Sequence, residues 1–170
     1  MIRKILYFLG FMLVMQGCGV YNFTGGNVGT AKTFQIPQFQ NFAAQNIGST
    51  FEPGVDRDFT LAMQDLILNQ TNLALVPNNA DLIYEGEITE YRVAPITATA
   101  QQTAAQNRLT IRVNVRFYNN TKEDADFERP FSFFFDFDAS DLLESVKSEA
   151  HEAIFERITQ DIFNASLADW

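Results

Sequence analysis

From Leu109 to Phe117 apolar and polar residues alternate without a break. Leu109, Ile111, Val113, Val115 and Phe117 fall on one side, and Thr110, Arg112, Asn114 and Arg116 on the other. A period of two is the signature of a strand buried on one face. The same alternation runs through Leu82, Tyr84, Gly86 and Ile88, with Glu85 and Glu87 opposite. Beyond Thr89 the apolar phase shifts to Tyr91 and Val93, which predicts a bulge. A third row, Phe127, Phe131, Phe133, Phe135 and Phe137, is interrupted by Arg129 and is expected to be core. Shorter strands are expected near Lys32–Ile36, stopped by Pro37, and at Leu73–Val76, ended by Pro77. Asn78–Asp81 and Asn119–Lys122 carry turn residues.

Two segments change to the helical period. Phe59, Ala62, Met63, Leu66 and Ile67 make one apolar stripe after Pro53-Gly54, with Asp56 as the expected cap. Leu143, Val146, Ala150, Ala153, Ile154, Ile158 and Ile162 make a second, longer stripe, starting from Asp138 or Ser140. Asp141 and Glu144 suit the positive end of that helix. Residues 38–54, rich in Gln and Asn, read as a loop pinned by Phe39, Phe42 and Phe51. The fold expected is α+β: an antiparallel sheet of about four to five strands carrying two amphipathic helices on one face. It is a two-layer sandwich whose other face is largely open.

The N-terminus has a different logic. Met1-Ile2-Arg3-Lys4 is basic, Ile5–Met15 is apolar, and Gly17-Cys18 follows. These are the parts of a secretory signal. The apolar run is too short for a bilayer, which takes about 20 residues. Gly17 before the single cysteine resembles a bacterial lipobox, although Met15 and Gln16 differ from its commonest form. The organisation expected is a signal peptide over residues 1–17, a lipidated leader over 18–31 beginning at Cys18, and one domain over 32–170. Removing residues 1–17 takes away Arg3 and Lys4 from 12 basic residues set against 21 acidic ones, so the net charge of −9 becomes more negative still. Nucleic acid is therefore not an expected partner. The lipid on Cys18 is the expected anchor, with more than one chain needed for stable attachment. An acylated Cys18 leaves no thiol for a disulfide.

Catalytic chemistry finds little to work with. His151 is the one histidine, and His151-Glu152 lacks the second His of a zinc-protease motif because Phe155 stands there. It reads as a surface residue of the second helix. Ser132 and Ser140 have only that histidine as a base. Gly25–Gly29 has no Lys-Ser/Thr partner, and Glu85, Glu87 and Glu90 are strung along a strand without a calcium loop. No enzyme activity, metal or cofactor is expected.

Several segments, in order, carry a resemblance. They are Cys18-Gly19-Val20-Tyr21-Asn22-Phe23-Thr24-Gly25, Gln70–Val76, Leu82–Tyr91, Asn107–Ile111, and Gln160–Asn164 with the closing Trp170. Together they resemble the LptE family of lipopolysaccharide-assembly lipoproteins over nearly the whole chain. The resemblance implies a small sheet with two helices and no enzyme activity. It implies a place at the inner leaflet of the outer membrane, facing the periplasm. The implied partners are lipopolysaccharide and an LptD-like β-barrel, which the lipoprotein helps to assemble and partly plugs. The competing reading is a generic periplasm-facing lipoprotein that binds another envelope protein or polymer.

Two candidate contact regions come from the residues themselves. Residues 95–107 are long for a hairpin loop and carry no charge. A barrel lumen is polar and wet, so Thr97, Thr99, Gln101, Gln102 and Thr103 are candidates for a tip that enters it; the alternative is a surface loop. Arg112 and Arg116 share the polar face of their strand, and Arg92 joins them from the next. Arginine suits phosphate, which makes the three candidates for lipopolysaccharide phosphates. Cross-strand pairing with Glu85, Glu87 or Glu90 is the favoured alternative. Phe134 faces the same way as the arginines and is expected to be exposed.

Overall fold

The computed structural model describes residues 26–96 and 105–168. In chain order the elements are β1 (Thr33–Gln35), β2 (Gln40–Asn41), a 3-10 turn (Ala43–Gln45), α1 (Val55–Gln70), β3 (Ala74–Leu75), β4 (Leu82–Ile96), β5 (Gln106–Asn119), β6 (Phe127–Asp138) and α2 (Leu143–Leu167). The sheet order is β3-β1-β4-β5-β6, with β2 also paired to β4. Both helices cover one face and share a single core with it.

The expected sheet needs correcting in two respects. It has six strands, not four or five, and it is mixed rather than antiparallel. The last three strands form the expected meander, with β4 and β5 antiparallel from Leu82↔Asn119 to Ile96↔Gln106 and β5 and β6 from Gln106↔Asp138 to Phe117↔Phe127. The short strands β1 and β2 instead run parallel to β4, and β3 runs parallel to β1. Parallel strands need a crossover between them, and α1 supplies it. Strands of two or three residues carry too little periodicity to announce their direction.

The bulge falls where the phase shift puts it: Ile88 pairs with Val113, then Glu90 with Arg112, leaving Thr89 over. It returns Tyr91 to the core, where it is buried. In α1, Phe59, Met63 and Ile67 are fully buried. The cap of α1 is Gly54 at φ 82°, not Asp56. Asp56 lies inside the first turn and accepts a hydrogen bond from Gln38 Nε2 at 2.7 Å. α2 begins later than expected, because Asp138 closes a tight turn by accepting from the Ser140 N–H and hydroxyl at 2.8 and 2.6 Å. Its buried face, Ala150, Ile154, Phe155, Ile158, Ile162, Phe163 and Leu167, is wider than the predicted stripe. Burying each of the large side chains contributes about 1.5–3 kcal/mol. Of the phenylalanine row, Phe137 is buried, and Phe131, Phe133 and Phe135 pack part-buried against the core.

The two ends of the molecule differ. At one end Asn27 N–H donates to the Leu167 carbonyl at 2.7 Å, which fastens the incoming chain to the C-terminus of α2. Asp81 closes the same end, accepting from Lys32 N–H and Thr33 N–H at 2.8 and 3.1 Å. Those bonds hold its carboxyl below the usual carboxylate range. At the other end β4 and β5 run on past the core, and Arg92, Val93 and Pro95 are exposed.

Candidate functional site

The face of the sheet away from the helices carries the polar residues of β4, β5 and β6, and they form a ladder of paired charges. Arg116 Nη1 stands 2.9 Å from Glu87 Oε2 and 3.9 Å from Glu128 Oε1. Asn114 Nδ2 donates to both carboxylates, at 3.0 and 2.9 Å. Although the register sets Glu85 directly across from Arg116, the guanidinium reaches diagonally to Glu87. Strand twist brings such diagonal neighbours within reach of long side chains.

One step along, two arginines share one acid. Arg92 Nε is 2.7 Å and Arg112 Nε 3.4 Å from the two oxygens of Glu90. The group keeps one positive charge in excess. It borders a cleft of about 420 Å3 together with Asn46, Ile47 and Thr89. Asn46 Nδ2 donates to the Thr89 carbonyl and so pins the loop to the bulge. Ile47 is fully solvent-exposed over this cleft.

At the hairpin end Arg108 makes the strongest pair. Its Nε and Nη2 donate to the two Asp136 oxygens at 2.7 and 2.8 Å. This fork-to-fork bond raises the arginine pKa further. The guanidinium also lies 3.5 Å above the Phe134 ring. Phe134 is 40% exposed, as its phase implied, and Phe133 also stacks on it at 5.4 Å between ring centres.

Arg92, Arg112 and Arg116 are therefore brought onto one face, each beside a glutamate. The register that opposes Arg108 to Asp136 is legible only once β5 and β6 are paired, and sequence reasoning passed over both residues. Cys18 and the loop candidates Thr97, Thr99, Gln101, Gln102 and Thr103 lie outside the described residues. Their attachment point is defined, since the last pairs of the hairpin are Pro95↔Asn107 and Ile96↔Gln106.

His151 differs from expectation. It is half-buried on α2, with Nε2 3.0 Å from the Tyr91 hydroxyl and its ring edge-on to Tyr91. Desolvation pushes its pKa down, outweighing the pull of Glu52. Among the described residues no group of three or more His, Cys, Asp or Glu side chains is placed to hold a metal. No helix among them is long and apolar enough to cross a membrane.

A family model described as LptE, lipopolysaccharide-assembly, matches residues 31–166. No curated protein matches at a significant level. A hypothetical protein from Chlamydia trachomatis shares the fold, with a TM-score of 0.50 and 10% identity over 82% of this chain and 100% of its own. A minor lipoprotein from Acinetobacter baumannii aligns with a TM-score of 0.49 and 11% identity over 79% of this chain and 91% of that one. The rare lipoprotein B from Shewanella oneidensis aligns at 0.43 and 14% identity, covering 77% and 89%.

Proposed function

The chain belongs to the LptE family of lipopolysaccharide-assembly proteins, and on that premise we propose that it is a non-enzymatic outer-membrane lipoprotein supporting an LptD-type β-barrel. It is anchored through lipid on Cys18, faces the periplasm, and helps the barrel assemble and deliver lipopolysaccharide to the cell surface. The observation that carries this reading is the extent of the family match, residues 31–166, which takes in every strand of the sheet and all of α1.

Two regions divide the work. The uncharged tip of the β4–β5 hairpin, with Thr97, Thr99, Gln101, Gln102 and Thr103, enters the wet lumen of the barrel without stranding a charge. The Arg92–Arg112 pair, whose excess charge is not cancelled by Glu90, meets lipopolysaccharide phosphates; Arg116 adds to it by exchanging its glutamate for phosphate. Arginine forks suit this exchange. Opposite charges paired across strands contribute about 0.2–1 kcal/mol, which sets the scale of that exchange.

The experiment is to purify the tagged full-length lipoprotein from its own outer membrane in mild detergent and identify what accompanies it. A large translocon β-barrel in near-equal amount is the expected result. Another envelope protein, with the barrel clearly absent, would replace this reading with that of a generic envelope-binding lipoprotein. Binding of lipopolysaccharide to the purified protein, weakened by Arg112→Glu, tests the second region; unchanged binding would remove the arginines from it.

A further inference from the structure

Arg129 stands apart from the other arginines. Among the described residues Arg57, Arg92, Arg108, Arg112, Arg116 and Arg157 each have a carboxylate within 4.0 Å. Arg129 has none among the described residues, in a chain whose net charge is −9. It interrupts the phenylalanine row on the helix side of β6, at the outer edge of the sheet. Its guanidinium lies 5.0 Å from the centre of the Phe127 ring and 4.9 Å from that of Phe131. Arg129 is exposed, and the two flanking rings attract its guanidinium without occupying its N–H donors.

The fork overlooks a groove between β6 and α2, lined by Arg129, Phe131, Asp161, Asn164 and Ala165. Asn164 Oδ1 already accepts from Gln160 Nε2 at 3.1 Å, so the amide nitrogen is left to donate. Asp161, the one acid in the lining, is engaged by Arg157 Nε at 3.2 Å. The groove thus offers a guanidinium, an amide donor and an aromatic wall. That set fits a phosphate attached to an apolar body.

Position decides which one. Ala165 also borders the hollow around Asn27, Val28, Gly29 and Thr30, and Asn27 is fastened to Leu167. The groove therefore opens beside the point where the chain arrives from Cys18. Seven residues lie between Cys18 and Gly26, and the eight steps of chain reach at most about 29 Å. We propose that Arg129 and Asn164 form a receptor for the phosphate of an anionic phospholipid, drawn from the headgroup layer of the leaflet that holds the Cys18 lipid. The membrane source rests on that lipidation; the chemistry of the groove does not, and neither depends on the barrel.

The test is a titration of the full-length protein, in micelles of a neutral detergent, with dioleoyl phosphatidylglycerol. Dioleoyl phosphatidylcholine and inorganic phosphate are the comparisons, and bound lipid is counted by native mass spectrometry. Phosphatidylglycerol is expected to bind, with Arg129→Gln weakening it about tenfold, the effect of losing a charged hydrogen bond. Arg129→Lys, which keeps the charge but loses the fork, should fall between, and Arg57→Gln, on α1 and outside the groove, should bind as the native protein does. Unchanged binding in a folded Arg129→Gln protein overturns the proposal, as does equal binding of the two lipids. Inorganic phosphate binding as tightly as the lipid overturns the lipid assignment. The same spectra give the mass at Cys18, and an unmodified cysteine overturns the leaflet as source. Barrel recovery should be unaffected by Arg129→Gln, which keeps this result separate from the one above.

Discussion

The Phe39 ring occupies the space that a side chain at position 86 would need: a Cβ added to Gly86 would stand 2.7 Å from Phe39 Cε1 and would collide with the Asn114 carbonyl oxygen. Phe39 is fully buried and meets Phe59 of α1 edge to face, at 5.1 Å between ring centres. The glycine thus lets the short β2 region close over β4 and join sheet to helix. Gly86→Ala is expected to destabilise the domain by about 1–3 kcal/mol, the range for overpacked cores. Urea denaturation of the purified domain measures it, and a midpoint equal to the native one would contradict the packing described.

His151 predicts a pH dependence with a definite sign. Desolvation by burial, beside Tyr91 and Phe155, holds its pKa below the ordinary value of 6.5. The unfolded chain therefore takes up the proton first as pH falls. The stability linked to His151 is complete above about pH 6.5, declines as pH falls through that value, and levels off below the folded pKa. His151→Gln should flatten this part of the stability profile, leaving the carboxylate region at lower pH. A native profile already flat between about pH 7.5 and 5.5 would argue against the depressed pKa.

Tyr84 is completely buried, and its hydroxyl lies 2.9 Å from Ser166 Oγ. Ser166 in turn donates to the Ile162 carbonyl at 2.9 Å. This links β4 to the last turn of α2. Tyr84→Phe should lower stability by about 0.5–1.5 kcal/mol, the net value of one hydrogen bond. An equal melting temperature for the two proteins would show that the bond adds nothing.

Cys18→Ser should move the protein from the membrane fraction to the soluble periplasmic fraction, and should remove the acyl mass from the N-terminal peptide. Retention of the variant in the membrane fraction, in cells lacking the barrel partner, would mean another anchor.

Thr99→Lys and Gln102→Trp bring charge and bulk to the uncharged hairpin tip. Barrel recovery should fall several-fold while the stability of the domain holds, since both positions lie beyond the last pair, Ile96↔Gln106. Full recovery with both variants would take the tip out of the interface.

What the chain alone determined follows from backbone pitch. Alternation over β4, β5 and β6 and the helical stripes depend on periods of two and 3.6 residues, which are local properties. They placed the long strands, the bulge at Thr89, the exposed Phe134 and both helices correctly. The parallel pairing of β1, β2 and β3 was decided by the tertiary fold, because such short strands are directed by the crossover above them. The ion pairs were half legible. Opposite charges on one face promised pairing for the three candidate arginines, but twist selected Glu87 over Glu85 for Arg116. That Arg129 has no carboxylate partner among the described residues was invisible in the sequence: Glu128 is its neighbour in the chain, yet alternation sends that carboxylate to the other face, toward Asn114 and Arg116. Only the packing of α2 on β6 opens the groove beside it, and the bond from Asn27 to Leu167 brings the chain arriving from Cys18 to that groove.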